Sequence, residues 1–317
     1  SIDVSNNLQL RILDLFQNQL TSLDLSLNTA LVNLYCDSNN NLSYLNVRNG
    51  NNLNVTNFVA HNNSSLTCIL VDDAAYSTTN WTNIDATASF SDTYCLYTAI
   101  PDANFEAALE ALGYDDISAD GQVPTALIEE VSSLDVGSQS IADLTGIEDF
   151  AALTSLRCHD NSIQNLDLTN NSLLEFIKCN ENGMDTLDLT GLTNFEELVG
   201  YYNDFTSFDF SSNPNMFKVS LFGNNLTTLD LSNNSALTFI RIDQNNLTNL
   251  DVRNGTNTSI TYFNTNSNSN LPCILVDDAT YSAANWTLIN PTSSFSDTYC
   301  RYTAVPDANF EAALDAL

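Results

Sequence analysis

The chain has 317 residues and carries 39 Asp and Glu against eight Lys and Arg, a formal net charge of −31. That balance argues against nucleic acid, whose phosphates need cations to displace their counterions, and against anionic membrane surfaces. An acidic surface keeps a long apolar-cored array soluble; the sharper reading is a surface that holds cations.

From the first residues the chain repeats. The template L-x-x-L-x-[L/C]-x-x-N-x-L, followed by x-x-L-D-L-[S/T]-x-N, covers residues 1–66 and 131–270. In the clearest run Leu156, Ile177, Leu198, Val219 and Ile240 recur every 21 residues, with Asn161, Asn182, Asn203, Asn224 and Asn245 in a second column. A fixed period of this length is the signature of stacked coils that bury their apolar face only against neighbours, so a solenoid is expected. In the first half of each coil, Leu156 and Cys158 point inward and Arg157 and His159 outward, the alternation of a strand with one buried face. Stacking turns these strands into a parallel sheet on the concave side, and each framework Asn is expected to turn inward and satisfy backbone groups between coils. The second half of each coil is rich in Asn, Ser and Asp and too short for a regular helix, which predicts an irregular convex side. Coils begin near Val131, Leu153, Leu174, Phe195, Met216, Leu237 and Ile260.

A longer period lies over the first. Cys68-Ile-Leu-Val-Asp-Asp returns at Cys273, and Pro101-Asp-Ala-Asn-Phe-Glu-Ala-Ala-Leu returns at Pro306, both after 205 residues. The expected organisation is therefore the last part of one module over 1–99, a complete second module over 100–304 and the start of a third over 305–317. Within the second, 100–130 forms an amino-terminal cap, 131–268 the repeats and 269–304 a carboxy-terminal cap. The first cap is expected to hold a short helix, with Asp102 capping its start and Gly113 stopping it. No run is long and apolar enough to span a bilayer, and Ser1 stands in mid-repeat, so any targeting signal is expected outside this stretch.

Cys68 and Cys95 have equivalents in Cys273 and Cys300 with the same 27-residue separation, each pair bracketing a segment outside the template. Two disulfides are expected, Cys68–Cys95 and Cys273–Cys300, which places the chain in an oxidising, extracytoplasmic setting; buried free thiols are the alternative. Trp81 and Trp286 lie between the paired cysteines and are expected to cover the open edge of the last coil. Cys36, Cys158 and Cys179 sit at inward positions and are expected to stay reduced in the core.

The template and the cap segments resemble leucine-rich repeat proteins of the internalin-like, cysteine-containing kind, and more closely the multi-module surface proteins of Bacteroidetes. The resemblance implies a secreted or surface-attached binding protein, often an adhesin, exported with a carboxy-terminal sorting domain. It supplies no ligand.

No catalytic constellation is legible. The two histidines, His61 and His159, stand in different modules, and phosphate loops and paired-Cys metal motifs are absent. On the expected concave face, the outward column reads Arg157, Lys178, Val199, Ser220, Arg241 and Asn264, holding three of the eight basic residues. The next column reads His159, Asn180, Tyr201, Phe222, Asp243 and Asn266, with Tyr202 adjacent and Phe176 and Phe239 just before the first column. Cations and exposed aromatics on a rigid sheet suit a glycan or an acidic peptide. The candidate ligand-binding residues are therefore Arg157, Lys178, Tyr201, Tyr202, Phe222 and Arg241; charge balance with Asp160 and Glu181 and strand propensity are the bland account. First-module residues at comparable strand positions, read as Asp14, Tyr35 and His61, differ from them. The central residue of each L-D-L forms an acidic ladder of Asp167, Asp188, Asp209, Asp230 and Asp251. Hydrogen bonds to nearby Ser and Thr are expected to hold it; calcium is conceivable. The Asp115–Gly121 loop lacks calcium-loop spacing and is expected to be a turn. The leading expectation is a noncatalytic adhesin that binds a polysaccharide or protein through the concave face; the alternative is a structural stalk of end-to-end modules.

Overall fold

The structure is a computed structural model that describes residues 1–300. The expected third-module segment at Pro306 lies outside the described residues. The chain forms two compact units, Ser1–Tyr97 and a second from Thr98 onward.

In the first unit each turn of the chain contributes one strand to each of two parallel sheets. One sheet holds Ile12–Asp14, Asn33–Tyr35 and Asn57–Val59; the other holds Ser22–Asp24, Tyr44–Asn46, Cys68–Leu70 and Ser89–Ser91. Between them lies an apolar core in which Leu25, Leu34, Cys36, Val47 and Ile69 are fully buried.

The second unit repeats this plan at greater length. Its main sheet has seven parallel strands, Ser133–Asp135, Ser155–Arg157, Phe176–Lys178, Glu197–Val199, Lys218–Ser220, Phe239–Arg241 and Tyr262–Asn264. The register pairs Leu156 with Ile177, Leu198, Val219, Ile240 and Phe263 in turn, so each coil presents the same residue to the core. Opposite, the L-D-L segments carry no strand until Thr228, from where the chain forms a second sheet of Thr228–Asp230, Asn249–Asp251, Cys273–Leu275 and Ser294–Ser296. The convex side is therefore more regular than its polar composition suggests, because Leu229 and Leu250 pair in register and are buried while the intervening Asp side chains face water.

The framework Asn column is a hydrogen-bond ladder. Asn224 donates from Nδ2 to the carbonyls of Gly200 and Leu221, and its Oδ1 accepts the N–H groups of Asn203 and Phe205. The pattern recurs at Asn161, Asn182, Asn203, Asn245 and Asn268, and in the first unit at Asn39 and Asn63. One amide thus satisfies backbone groups on two coils, which the narrow turn could not pair by itself. A second ladder runs on the other side of the core, where Asn28, Asn171, Asn213 and Asn234 donate to carbonyls 21 and 24 residues earlier.

The ends of the repeats are closed as the composition leads one to expect. The helix Ala103–Leu112 starts at Asp102, whose Oδ1 accepts from Asn104 and Phe105, and stops at Gly113, which adopts φ 83°. Phe105 and Leu109 are fully buried in the same core as the first coil. The Asp115–Gly121 segment is a turn held from below, since buried Glu106 accepts the N–H groups of Asp120 and Gly121.

At the other end the cap proves to be one more coil. Cys273–Leu275 and Ser294–Ser296 extend the second sheet, and Leu288 bridges to Asn264 at the edge of the main sheet. Five of the six residues of the recurring Cys-Ile-Leu-Val-Asp-Asp motif have a task. Ile274 and Val276 enter the core, Asp277 accepts the N–H groups of Gly255 and Asn257, and Asp278 caps the helix Ala279–Asn285. Asp72 and Asp73 do the same for the first unit's helix Ala74–Asn80. Trp286 lies flat on Phe263 with ring centres 4.2 Å apart, as Trp81 does on Phe58 at 4.3 Å, so both indoles seal the last coil. Disulfides join Cys68 to Cys95 and Cys273 to Cys300. Cys36, Cys158 and Cys179 are free and buried, and burial pushes the thiols of Cys36 and Cys179 up to about 12.

Candidate functional site

The seven-stranded sheet displays three outward columns. The middle one runs Asp135, Arg157, Lys178, Val199, Ser220, Arg241 and Asn264 in unbroken register. The column before it runs Ser155, Phe176, Glu197, Lys218, Phe239 and Tyr262, which adds Lys218 to the cations expected on this face. Four of the chain's eight basic residues therefore stand on one sheet.

Their surroundings differ. Lys218 pairs with Glu197 at 2.6 Å and Arg241 with Asp243 at 3.1 Å, so these two are neutralised locally. Arg157 lies over the Phe176 ring at 4.7 Å, donates to the Ser155 hydroxyl at 3.4 Å and makes no ion pair among the described residues. Lys178 makes no ion pair among the described residues.

The aromatic residues form two stacks. Tyr201 packs on Phe222 with centroids 4.4 Å apart and planes 18° from parallel, while the Arg241 guanidinium covers the Phe222 ring at 3.5 Å from the following coil. Tyr202 meets Phe222 edge-on at 5.0 Å. Phe239 and Tyr262 make the second stack at 4.5 Å, with Lys218 Nζ 5.4 Å from the Phe239 centroid. Together with Glu181, Val199 and Ser220, the side chains of Tyr201, Tyr202, Lys218, Phe222, Phe239 and Arg241 line an open depression of about 440 Å³.

Phe222 is not the exposed aromatic its outward position suggests. It is 6% exposed, filled in by Tyr201, Tyr202 and Arg241, so it supports the faces of its neighbours. The accessible ring is Tyr202, 48% exposed. Tyr202 adopts φ 54°, in the left-handed turn shared by Asp160, Glu181, Gln244 and Ser267 just before the framework Asn or its spatial equivalent. In the next coil that column holds Gly223, and a side chain there would strike the Tyr202 ring at 2.4 Å. Gly223 is thus a residue of the site that the outward columns did not reveal; the lone glycine among polar turn residues was its signal.

In the first unit the register pairs Asp14 with Tyr35 and Tyr35 with Val59. His61 falls one column on, as Tyr201 does beyond Val199 in the second unit, with Nε2 3.9 Å from Asp37.

The acidic ladder is occupied by its own turns. Asp167, Asp188, Asp209, Asp230 and Asp251 each accept the N–H of the residue two places on. Hydrogen bonds from Thr169, Thr190 and Ser211 hold Asp167, Asp188 and Asp209 below the usual carboxylate value. Among the described residues no group of three or more His, Cys, Asp or Glu side chains gathers to hold a metal ion. Nor is any described helix long and apolar enough to cross a membrane.

In-register coils of this period, an Asn ladder and capped ends decide the architecture. The fold is a leucine-rich repeat solenoid. No protein-family model matches the chain. A stretch of 86 residues is 37% identical to Internalin J of Listeria monocytogenes serotype 4b; it makes up 27% of this chain and 8% of that protein, so the likeness is to one piece of a much longer molecule. Over that stretch the chain is internalin-like. Among solved structures, the functional domain of InlJ from Listeria monocytogenes, which includes a cysteine ladder, is 24% identical with a TM-score of 0.40, covering 59% of this chain and 53% of that one. Internalin C2 from Listeria monocytogenes is 19% identical with a TM-score of 0.42, covering 65% of this chain and all of that one.

Proposed function

We propose that this leucine-rich repeat chain is a noncatalytic binding protein of the secreted or cell-surface kind, an adhesin whose seven-stranded sheet takes up a polysaccharide or protein ligand. The observation that carries the reading is the depression lined by Tyr201, Tyr202, Lys218 and Arg241, with Lys178, which makes no ion pair among the described residues, in register beside Val199 at its edge. Frame residues elsewhere on the coils are used up in ladders and caps, whereas these side chains lie on the outward face of a rigid sheet and close no backbone gap. A preorganised face of this kind binds without first ordering itself, which favours affinity. The two disulfides suit an oxidising location outside the cytoplasm, and the internalin-like stretch and the Bacteroidetes-like cap segments support export to the surface.

The test is a glycan and protein array probed with the chain and with Arg157→Ala/Lys178→Ala/Tyr201→Ala, with and without calcium. Saturable binding lost in the variant is the expected result. A second reading, a structural stalk without a dedicated ligand, is favoured by the near-identity of the cap segments 205 residues apart. It predicts no saturable ligand in any buffer, together with end-to-end association that the triple variant leaves intact.

A further inference from the structure

Resting on the reading that the main sheet is the binding face, we infer that the ligand is an anionic polysaccharide, with a pyranose ring against the aromatic cluster of Tyr201 and Tyr202, whose rings stand edge to face at 85°, and a carboxylate or sulfate at Lys178 and Arg157. The argument is one of local charge inversion. The chain as a whole is at −31, yet within the three strand columns the acidic residues are Asp135, Glu197 and Asp243, and the last two are already paired with Lys218 and Arg241. Asp135 stands beside Arg157 in register and accepts the N–H of Gly137. Beyond the strands Asp160 and Glu181 lie in the exposed turn; Glu181 lines one side of the depression and accepts from Asn180 at 3.3 Å. Arg157 and Lys178 remain as neighbouring cations in register that make no ion pair among the described residues. A strongly acidic surface that leaves two adjacent cations unpaired on its most rigid face is arranged for an anion supplied from outside.

The aromatic platform selects a sugar over an acidic peptide. Tyr201 belongs to the coil immediately after Lys178, and its ring is held by the Phe222 stack, so the platform stands one strand spacing from the cation, roughly 5 Å, and two residues along the strand. Stacking against the flat apolar face of a pyranose needs a fixed ring with one open side, and the Tyr rings bring hydroxyls for the sugar's own. A second stack at Phe239 and Tyr262 continues the surface two coils on from Phe222's neighbour Tyr201, which suits a polymer with repeated rings. In the first unit Asp14, Tyr35 and Val59 stand where the second has Ser220, Arg241 and Asn264, and this row carries no cation, so the inference concerns the second unit.

Calorimetric titration of the whole chain with polygalacturonate, dextran sulfate, neutral dextran and poly-glutamate tests this. Binding is expected for one or both anionic polysaccharides, weakened about tenfold or more in Arg157→Ala/Lys178→Ala, as loss of charge-assisted hydrogen bonds implies, and weakened by about 0.5 M salt. Tyr202→Ala, at an exposed position, is expected to weaken binding as well, at a temperature where unfolding curves show the variant fully folded. The stronger of the two polymers identifies the anion. Equal binding of dextran overturns the anionic assignment while the binding face survives through loss in Tyr202→Ala; poly-glutamate binding as tightly as the polysaccharides overturns the sugar. If no polymer binds, the inference fails, and the protein half of the array then decides the reading beneath it.

Discussion

The two units share a frame and differ in what they display. Core leucines, Asn ladder, cap helix, stacked indole and disulfide recur at equivalent positions, down to the pair of Asp residues that tie the cap to the preceding coil. Outward on the main sheet, in the register set by the stacked indoles, the second unit presents Ser220, Arg241 and Asn264 where the first presents Asp14, Tyr35 and Val59, and it carries Arg157 and Lys178 on coils further from that cap. The difference teaches that side chains which close backbone gaps are held to one identity by geometry, while those facing out from a strand are set by something other than the fold.

The strongest way to break the comparison is at the caps. Trp81→Ala and Trp286→Ala remove equivalent indoles, each 4% exposed, and each is expected to cost about 3–5 kcal/mol, read by urea unfolding of its own unit. Unequal losses would mean that the frames are not equivalent. Next in size, Asn63→Ala and Asn224→Ala each leave buried backbone groups on two coils unpaired. A loss of about 2–3 kcal/mol is expected in either unit, checked by the same unfolding curves. Rewriting the display instead of the frame, Arg157→Asp/Lys178→Tyr replaces both cations with residue types that the first unit shows on its own sheet. Ligand titration should lose the anionic polymer, and stability should move by no more than about 0.5 kcal/mol, the ordinary range of a surface change.

The smallest effect concerns pH. Folding lowers the carboxyl values of Asp167, Asp188 and Asp209 from an ordinary 3.8 through hydrogen bonds from Thr169, Thr190 and Ser211. Their contribution is present above pH about 4 and is lost as the pH falls through the lower folded values, where the unfolded chain has already taken up its protons. Asn46 fills the same position in the first unit and accepts from the N–H of Arg48 without titrating. Replacing the three Asp with Asn should therefore preserve the turns and flatten the acid limb of a melting-temperature profile between pH 5 and 2, an expected shift of about a degree or two. A profile as steep as the parent's would assign the acid sensitivity to other groups.

Most of the frame is legible from spacing alone, because a repeat fixes which residues must meet. Leu156, Ile177 and Leu198 must share a column, and cysteines 27 residues apart at both caps must close equivalent loops. The candidate site is legible only in outline. Alternation tells that Phe222 points outward, but not that Tyr201, Tyr202 and Arg241 cover it, since this depends on rotamers chosen across three coils. Lys218 escaped because its column opens the strand, one alternation before the residues expected to face the ligand. The left-handed turn escaped because Asp160, Glu181, Tyr202 and Gln244 carry it without glycine, their backbone held by bonds to the neighbouring coil, as when Tyr202 donates its N–H to the Phe222 carbonyl. The second Asn ladder could have been read from Asn171, Asn213 and Asn234, whose spacing is regular wherever Leu192 does not interrupt it.

The strict register of the main sheet also says how such a face can change over evolutionary time. Because Lys178 sits between Arg157 and Val199 with every coil bonded only to its neighbours, excising residues 174–194 would bring the strand of Arg157 against that of Val199 and Asn161 against Asn203, with no frame residue out of place. Copying the same stretch would add a cation to the row. A ligand face written one coil per line can be lengthened, shortened or shuffled by whole-coil edits, so new specificities need not pass through unfolded intermediates in sequence space.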